Sequence, residues 1–163
     1  MTTKNTDHIV KSFDGDLQHL TQVIAEMGGL AESQLSAAID SLVKRDSELA
    51  ARVVQSDKRI DDLEQEIGNF TVRILALRQP MAQDLREVVA AIKIAADLER
   101  IGDYAKNIAK RAIILNQGAP VRPVNSIPRM SQLAQNIVKG VLDAYIEKDA
   151  DPARAVGRRD EDV

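Results

Sequence analysis

The chain has 163 residues and a formal net charge of -3; 44% of its residues are hydrophobic but only 2% are aromatic, which favours a core of aliphatic side chains between helices. It has no cysteine and no basic block, which excludes disulfides and thiol catalysis and argues against general nucleic-acid binding. Because it lacks an apolar signal core and any apolar run long enough to cross a bilayer, we expect a cytoplasmic location.

Two long amphipathic helices are predicted first. In each, apolar residues recur mostly at steps of three, four or seven, the spacing of one helical stripe. The stripe of the first helix consists of Phe13, Leu17, Leu20, Ile24, Met27, Ala31, Leu35, Ala38 and Leu42. Asp46 or Ser47 is a suitable N-cap for the second helix. The stripe of that helix consists of Leu49, Val53, Ile60, Leu63, Ile67 and Ile74.

A third helix is predicted from about Pro80 to Leu115. Pro80 disfavours helical geometry at Gln79 and suits the first turn of a new helix. The predicted core stripe of this helix is Ala90, Ile94, Ile101, Ile108 and Leu115, reinforced by Leu98, Ala105 and Ala112. Three long helices joined by short turns predict an all-α fold, an antiparallel three-helix bundle with spectrin-repeat-like packing.

Beyond the bundle, the pattern begins again. A connector rich in proline is predicted over 117–128, after the first bundle at 1–116. Shifting the chain by 103 residues aligns Arg45-Asp46 with Lys148-Asp149 and the stripe of the first helix with that of residues 129–163, which indicates an internal duplication. At the same offset a sixth helix would start near position 183. We therefore expect one complete bundle, followed by the first helix and part of the second helix of an incomplete repeat.

The helix after the connector carries an apolar face that half a bundle cannot cover. This face could fold back on the first bundle or pair with another chain. From it we predict self-association, as a homodimer or another homo-oligomer. The residues concerned are Met130, Leu133, Ile137, Val141, Leu142 and Tyr145.

Two pairs of carboxylates have a spacing that points to a site. Glu99 and Asp103, in the third helix, are four residues apart, as are Asp57 and Asp61 in the second. This spacing stacks each pair on one helix face, where like charges destabilise an isolated helix by roughly 0.2–0.5 kcal/mol. By angular counting, Glu99 and Asp103 lie opposite the predicted core stripe. Asp57 and Asp61 lie on the shoulder of their own stripe, with Glu64 closer to its centre.

Oxygen donors from two adjacent helices are the ligands that hard cations and iron prefer, so the pairs predict a carboxylate metal site. The residue types do not choose among iron, manganese, magnesium, calcium and zinc. The alternative is a solvated face neutralised by surface ion pairs with Arg100, Lys106 or Lys110.

Other chemistries lack their residues. The chain has only two histidines, His8 and His19, and no Glu-x-x-His element of the kind that di-iron bundles use. No nucleophilic triad and no Gly-rich phosphate loop is apparent. We therefore expect no enzymatic activity.

Three segments resemble the PhoU family of phosphate-transport-system regulators: EMGGLAESQL, the run LALRQPMAQDLREVVAAIKIAADLERIGD, and DLERIGDYAKNIAKR. The resemblance extends from Phe13 to about Leu115 and continues weakly into the second repeat. Family members carry acidic signatures, Glu or Asp followed after three residues by Asp, which bind metal clusters in some members. Glu99 to Asp103 and Asp57 to Asp61 match this signature. The counterpart of Asp57 in the second repeat is Asp160, and no further copy follows.

The resemblance implies a non-enzymatic, cytoplasmic protein that associates with membranes only through partners. It implies a negative regulator of phosphate uptake and phosphate-starvation signalling. Such a regulator would be an adaptor between the ATPase subunit of the phosphate importer and a sensor histidine kinase. Carboxylates repel phosphate, so any phosphate sensing would need a bridging metal or would be read from the partner's conformation.

Two alternatives remain open. The first is a metal-binding helical protein with a storage or redox role, which metal uptake with redox turnover would favour. The second is a purely structural helical module. It would be favoured if Glu99→Ala and Asp103→Ala together left metal content, partner binding and repression unchanged.

Overall fold

The computed structural model describes residues 3–120 and 126–158, the first ten of them by their backbone only. Within these ranges the chain forms five α-helices and no strand: α1 (Thr3–Val43), α2 (Ser47–Arg78), α3 (Ala82–Leu115), α4 (Ile127–Glu147) and α5 (Ala150–Gly157). The predicted all-α fold is confirmed. In the described part of the chain no helix is both long and apolar enough to span a membrane.

The first three helices form the predicted bundle, in which each packs against the other two. The turn between α1 and α2 follows its sequence signals: Asp46 is the N-cap of α2, and its carboxylate accepts a hydrogen bond from the Leu49 amide at 2.8 Å. Arg45 ties this turn to the far end of α3, because its guanidinium donates to the carbonyls of Asn116 (2.8 Å) and Gly118 (2.6 Å). Cations at this position complement the carbonyl end of a helix dipole.

The core stripe predicted for α3 is rotated relative to the observed one. Leu115 is 41% exposed, and Ile94, Ile101 and Ile108 lie only half-buried at the margin of the core. The buried face of α3 consists largely of small residues, which allow this helix to approach α1 and α2 closely at the same time. The buried residues of α3 are Val88, Ala91, Ala95, Leu98, Gly102, Ala105, Ala109 and Ala112.

The helix after the connector folds back on the first bundle. α4 packs against α1 and α5, and Leu142 is buried in the main core cluster. Gly28 makes room for this contact, since a Cβ atom there would collide with the side chain of Leu142. Part of the predicted apolar face of α4 remains uncovered, with Met130 48% and Val141 42% exposed.

The structure repeats the same turn at the predicted offset. Arg45 and Lys148 both adopt the left-handed conformation with φ of 55°. Each is followed by an aspartate that caps the next helix and whose amide donates five residues back, Asp46 to Ser41 at 2.9 Å and Asp149 to Ala144 at 3.0 Å. Two turns with the same geometry support the internal duplication. Asp160 lies outside the described residues, as do residues 121–125 of the predicted connector, and the domain boundaries stay a prediction.

Candidate functional site

The four predicted site residues lie along the contact between α2 and α3, and their positions on the helices differ from the angular prediction. Asp57 is not on the shoulder of its stripe but within it, and is only 1% exposed. Glu99 and Asp103 are not opposite the core of α3. Because the true core line runs through Gly102, they lie beside it and are half-buried. Asp61 is half-buried one turn after Asp57. We call Asp57, Asp61, Glu64, Glu99 and Asp103 the acidic face.

A close approach of α3 to α2 brings the acidic residues of the two helices together. Gly102 is buried, and a Cβ atom at this position would lie 2.9 Å from Ile60 Cδ1 and 3.6 Å from Asp57 Oδ1. No other residue type would leave this space empty. Gly102 therefore allows the backbone of α3 to approach α2 beside the buried carboxylate.

Asp57 is held by side chains from the two other helices of the bundle. Its Oδ1 accepts a hydrogen bond from Gln34 Nε2 of α1 at 3.1 Å, and the same amide lies 3.2 Å from the carbonyl oxygen of Val53. Its Oδ2 forms an ion pair with the ammonium of Lys106 of α3. That ammonium also lies 3.3 Å from Asp103 Oδ1. A carboxylate with so little solvent contact needs such a counter-charge, since an unpaired buried charge is strongly destabilising.

Lys106 is therefore the cation of this site. Its side chain is 26% exposed, so the ammonium lies between the buried Asp57 and the more open Asp103. The ion pair with Asp57, followed by the hydrogen bond to Asp103 and the charges of both carboxylates, raises the pKa of Lys106 well above its usual range, against the effect of burial. The ammonium is thus fully charged at neutral pH.

The remaining carboxylates have no comparable counter-charge. Burial, and then the charge of Asp57, raises the pKa of Asp61. Burial, followed by the charges of Asp103 and Asp61, raises the pKa of Glu99. Among the described residues neither carboxylate forms an ion pair. The acidic residues of α2 and α3 thus act on one another electrostatically, as the sequence predicted for adjacent helices.

In the observed arrangement the ammonium of Lys106 occupies the position between Asp57 and Asp103 that a bridging metal ion would take. Among the side chains that the structure describes, in residues 13–120 and 126–158, no three of Asp, Glu or His are grouped so that they could hold a metal ion. A cation coordinated by Asp57 and Asp103 would meet the ammonium of Lys106. Asp57 Oδ1 is also already engaged by Gln34. The metal assignment of Asp57, Asp61, Glu99 and Asp103 stays a prediction.

The sequence points to one partner of Asp57 in general terms but not to the other. It predicts Lys106, with Arg100 and Lys110, as a source of surface ion pairs. Arg100 instead lies 3.5 Å from Asp97, and the pair between Lys106 and Asp57 is largely buried. The spacing of three from Asp103 was the available signal for Lys106. Gln34 was missed, because nothing in the sequence links it to a residue on another helix.

The fold and this face define a class: an α-helical bundle protein with an acidic, internally ion-paired contact between two long helices. The PhoU domain matches residues 24–112. A phosphate-specific transport system accessory protein PhoU homolog of Caulobacter vibrioides is 50% identical over 97% of this chain and 69% of its own length. The one of Zymomonas mobilis is 46% identical over 96% of this chain and 66% of its own length. The chain thus spans about two thirds of these relatives.

Solved structures agree with the sequence matches. The crystal structure of PhoU from Pseudomonas aeruginosa superposes with a TM-score of 0.87 at 39% identity, over 91% of this chain and 72% of that one. The phosphate transport system regulatory protein PhoU from Streptococcus pneumoniae has a TM-score of 0.84 at 29% identity, over 92% and 70% of the two chains. The chain belongs to the PhoU family.

Proposed function

We propose that this protein is a cytoplasmic, non-enzymatic accessory protein of phosphate-specific transport that represses phosphate uptake and phosphate-starvation signalling. The observation that carries the proposal is the 50% identity, over nearly the whole chain, to a phosphate-specific transport system accessory protein. The regulatory part is supported by the likeness to a phosphate transport system regulatory protein. The partners would be the ATPase subunit of the phosphate importer and a sensor histidine kinase.

A complementation assay tests the regulatory role. The chain is expressed in a bacterium that lacks its own PhoU homologue and carries a reporter under a phosphate-starvation promoter. We expect reporter expression in phosphate-rich medium to fall towards the level of the parent strain. Expression that stays at the starvation level would contradict the proposal.

The acidic face is proposed as the regulatory part of the surface, with a carboxylate metal site as one form of that role. Asp61 and Glu99 support this idea, because they are half-buried carboxylates with raised pKa and no ion-pair partner in the described chain. We expect Glu99→Ala/Asp103→Ala to weaken repression, and Asp143→Ala, on the exposed side of α4, to leave it unchanged. Full repression by the double variant would contradict a regulatory role of the acidic face and leave it with a structural one.

Copurification tests the adaptor role directly. The chain should copurify with a tagged ATPase subunit and with the tagged cytoplasmic part of the kinase, each from a strain that lacks the other. Recovery with neither would contradict the adaptor proposal. Metal uptake with redox turnover in the purified protein would instead favour the storage or redox alternative.

Self-association is proposed from the exposed apolar residues of α4. Met130, Val141 and Ile146 are each more than two-fifths exposed, and large apolar side chains in such numbers favour contact with another copy. Sedimentation velocity at micromolar concentration should show a dimer or a larger species, and Met130→Glu/Val141→Glu should shift it towards monomer. A single monomeric species for the unaltered chain would refute this prediction.

A further inference from the structure

The ammonium of Lys106 lies where the two acidic pairs meet. It touches Asp57 Oδ2 on α2 and approaches Asp103 Oδ1 on α3 to 3.3 Å. These oxygens belong to one residue of each pair predicted to bind metal. An ion that bridged α2 and α3 through Asp57 and Asp103 would need the volume that this ammonium fills.

We infer that Lys106 is a built-in cation of the acidic face and competes with any divalent cation for it. The inference rests on the acidic face of the proposed function but not on repression or on any partner. It predicts that the unaltered protein binds divalent cations weakly at this face. It also predicts that removing the ammonium turns the same carboxylates into a cation site.

The burial of Asp57 is the first reason. This carboxylate is 1% exposed and must have a counter-charge in the folded protein, whichever cation supplies it. Lys106 supplies this counter-charge from within the chain, so its ammonium loses no translational freedom when it pairs with Asp57, whereas a free ion would. A metal ion would have to displace a partner that is always present.

The charge balance of the face is the second reason. Asp57, Asp61, Glu99 and Asp103 carry four negative charges, and among the described residues only Lys106 forms an ion pair with any of them. Without the charge of Lys106, Asp57 and Asp103 lose their ion-pair partner, and the repulsion among the four carboxylates of α2 and α3 is no longer compensated. Coulomb attraction for a divalent cation rises accordingly.

The third reason is that the Lys106 side chain can leave Asp57 when a divalent cation displaces it. Its side chain is 26% exposed, so the ammonium can turn outward into water without crossing the core. A cation that displaced it would therefore leave a mobile positive charge on the outer edge of α3. Lys106 thus couples the occupancy of the face to the charge that a partner would meet there.

The test is calorimetric titration of the full chain with Mn²⁺ alone, comparing the unaltered protein, Lys106→Met and Lys110→Met. Lys110 is the matched control, since it lies one turn further along α3, is exposed and forms no ion pair in the described chain. We expect Lys106→Met to bind Mn²⁺ about tenfold more tightly or better than the other two proteins. Adding Asp57→Asn to Lys106→Met should abolish the gain.

Equal Mn²⁺ affinity in Lys106→Met and Lys110→Met would overturn the inference, and so would tight, stoichiometric binding by the unaltered protein. If Lys106→Met lacks a helical circular dichroism spectrum, the measurement becomes its recovery on adding Mn²⁺. Recovery with Mn²⁺ but not with K⁺ supports the built-in cation, and no recovery overturns it. Because none of these readouts involves repression, failure here is distinguishable from failure of the complementation assay.

Discussion

Gly102→Ala tests the close approach of α3 to α2 on which the acidic face depends. The new methyl group would lie 2.9 Å from Ile60 Cδ1, a side chain that is itself 1% exposed and has little room to move. Alanine in place of a mid-helix glycine gains about 1 kcal/mol of helix propensity, whereas overpacking a core costs about 1–3 kcal/mol. We expect Gly102→Ala to lower the free energy of unfolding by about 1 kcal/mol, taking a mid-range overpacking cost of about 2 kcal/mol.

Gly68→Ala is the matched control, because Gly68 lies within α2 and a Cβ atom there would meet no described atom within 4 Å. Urea unfolding followed by circular dichroism should show this variant about 1 kcal/mol more stable than the unaltered protein, the gain in helix propensity alone. A Gly102→Ala variant as stable as Gly68→Ala would refute the close approach.

A double-mutant cycle identifies the atom responsible. Ile60→Val removes Cδ1 and by itself should cost about 0.5–1.5 kcal/mol. In the Gly102→Ala background it should cost less, because the deleted atom is the one that the new methyl group meets. We expect a coupling free energy of about 1 kcal/mol. Strict additivity of the two changes would place the strain elsewhere.

Three further predictions concern α4, the core and pH. Gly28→Ala should loosen the packing of α4 on α1, seen as faster hydrogen exchange of the α4 amides, because the new Cβ atom would collide with a buried leucine. Thr71→Val should raise the free energy of unfolding by about 1 kcal/mol, because the buried Thr71 hydroxyl has no hydrogen-bond partner among the described residues. Asp61→Asn/Glu99→Gln should stabilise the protein at pH 7 but not near pH 3, as measured by thermal unfolding at both pH values.

The sign of the pH effect follows from the raised pKa of both carboxyl groups. The folded state binds their protons more tightly than the unfolded state does, so stability falls as pH rises above the ordinary values of 3.8 and 4.5. The neutral variants avoid this loss, and a constant difference between pH 3 and pH 7 would contradict the raised pKa.

For α4 the control is Gly29→Ala, since a Cβ atom there would meet no atom of the described residues within 4 Å. Equal stability of Thr71→Val and the unaltered protein would mean that the hydroxyl finds a partner in solution.

Local signals predicted the helices well because each acts over a few residues. The stripe of α2 contains Val53, Ile60, Leu63, Ile67 and Ile74, all buried as expected. The N-cap at Asp46 also lies where predicted. α1 begins at Thr3, ahead of the predicted stripe, because residues 3–12 contain no glycine or proline that would stop it.

The orientation of α3 was the weakest part of the prediction, and the reason is physical. Hydrophobic periodicity gives the greatest weight to large residues, but a helix that packs against two neighbours places its small ones at the centre. Gly102 and Ala109 are therefore buried, while Ile114 is 67% exposed. The predicted orientation therefore placed Glu99 and Asp103 on the side of α3 opposite the core, whereas both lie half-buried beside the core.

The sequence by itself determined the helices, the N-cap of α2, the repeated turn and the two acidic pairs, because all of these depend on residues close together in the chain. Only the tertiary structure decided which carboxylate is buried and which cation neutralises it. Asp57, Lys106 and Gln34 come from three helices, and their meeting depends on the distance between helix axes that Gly102 allows. A burial cost and a counter-charge are properties of that packing, so no spacing within one helix could predict them.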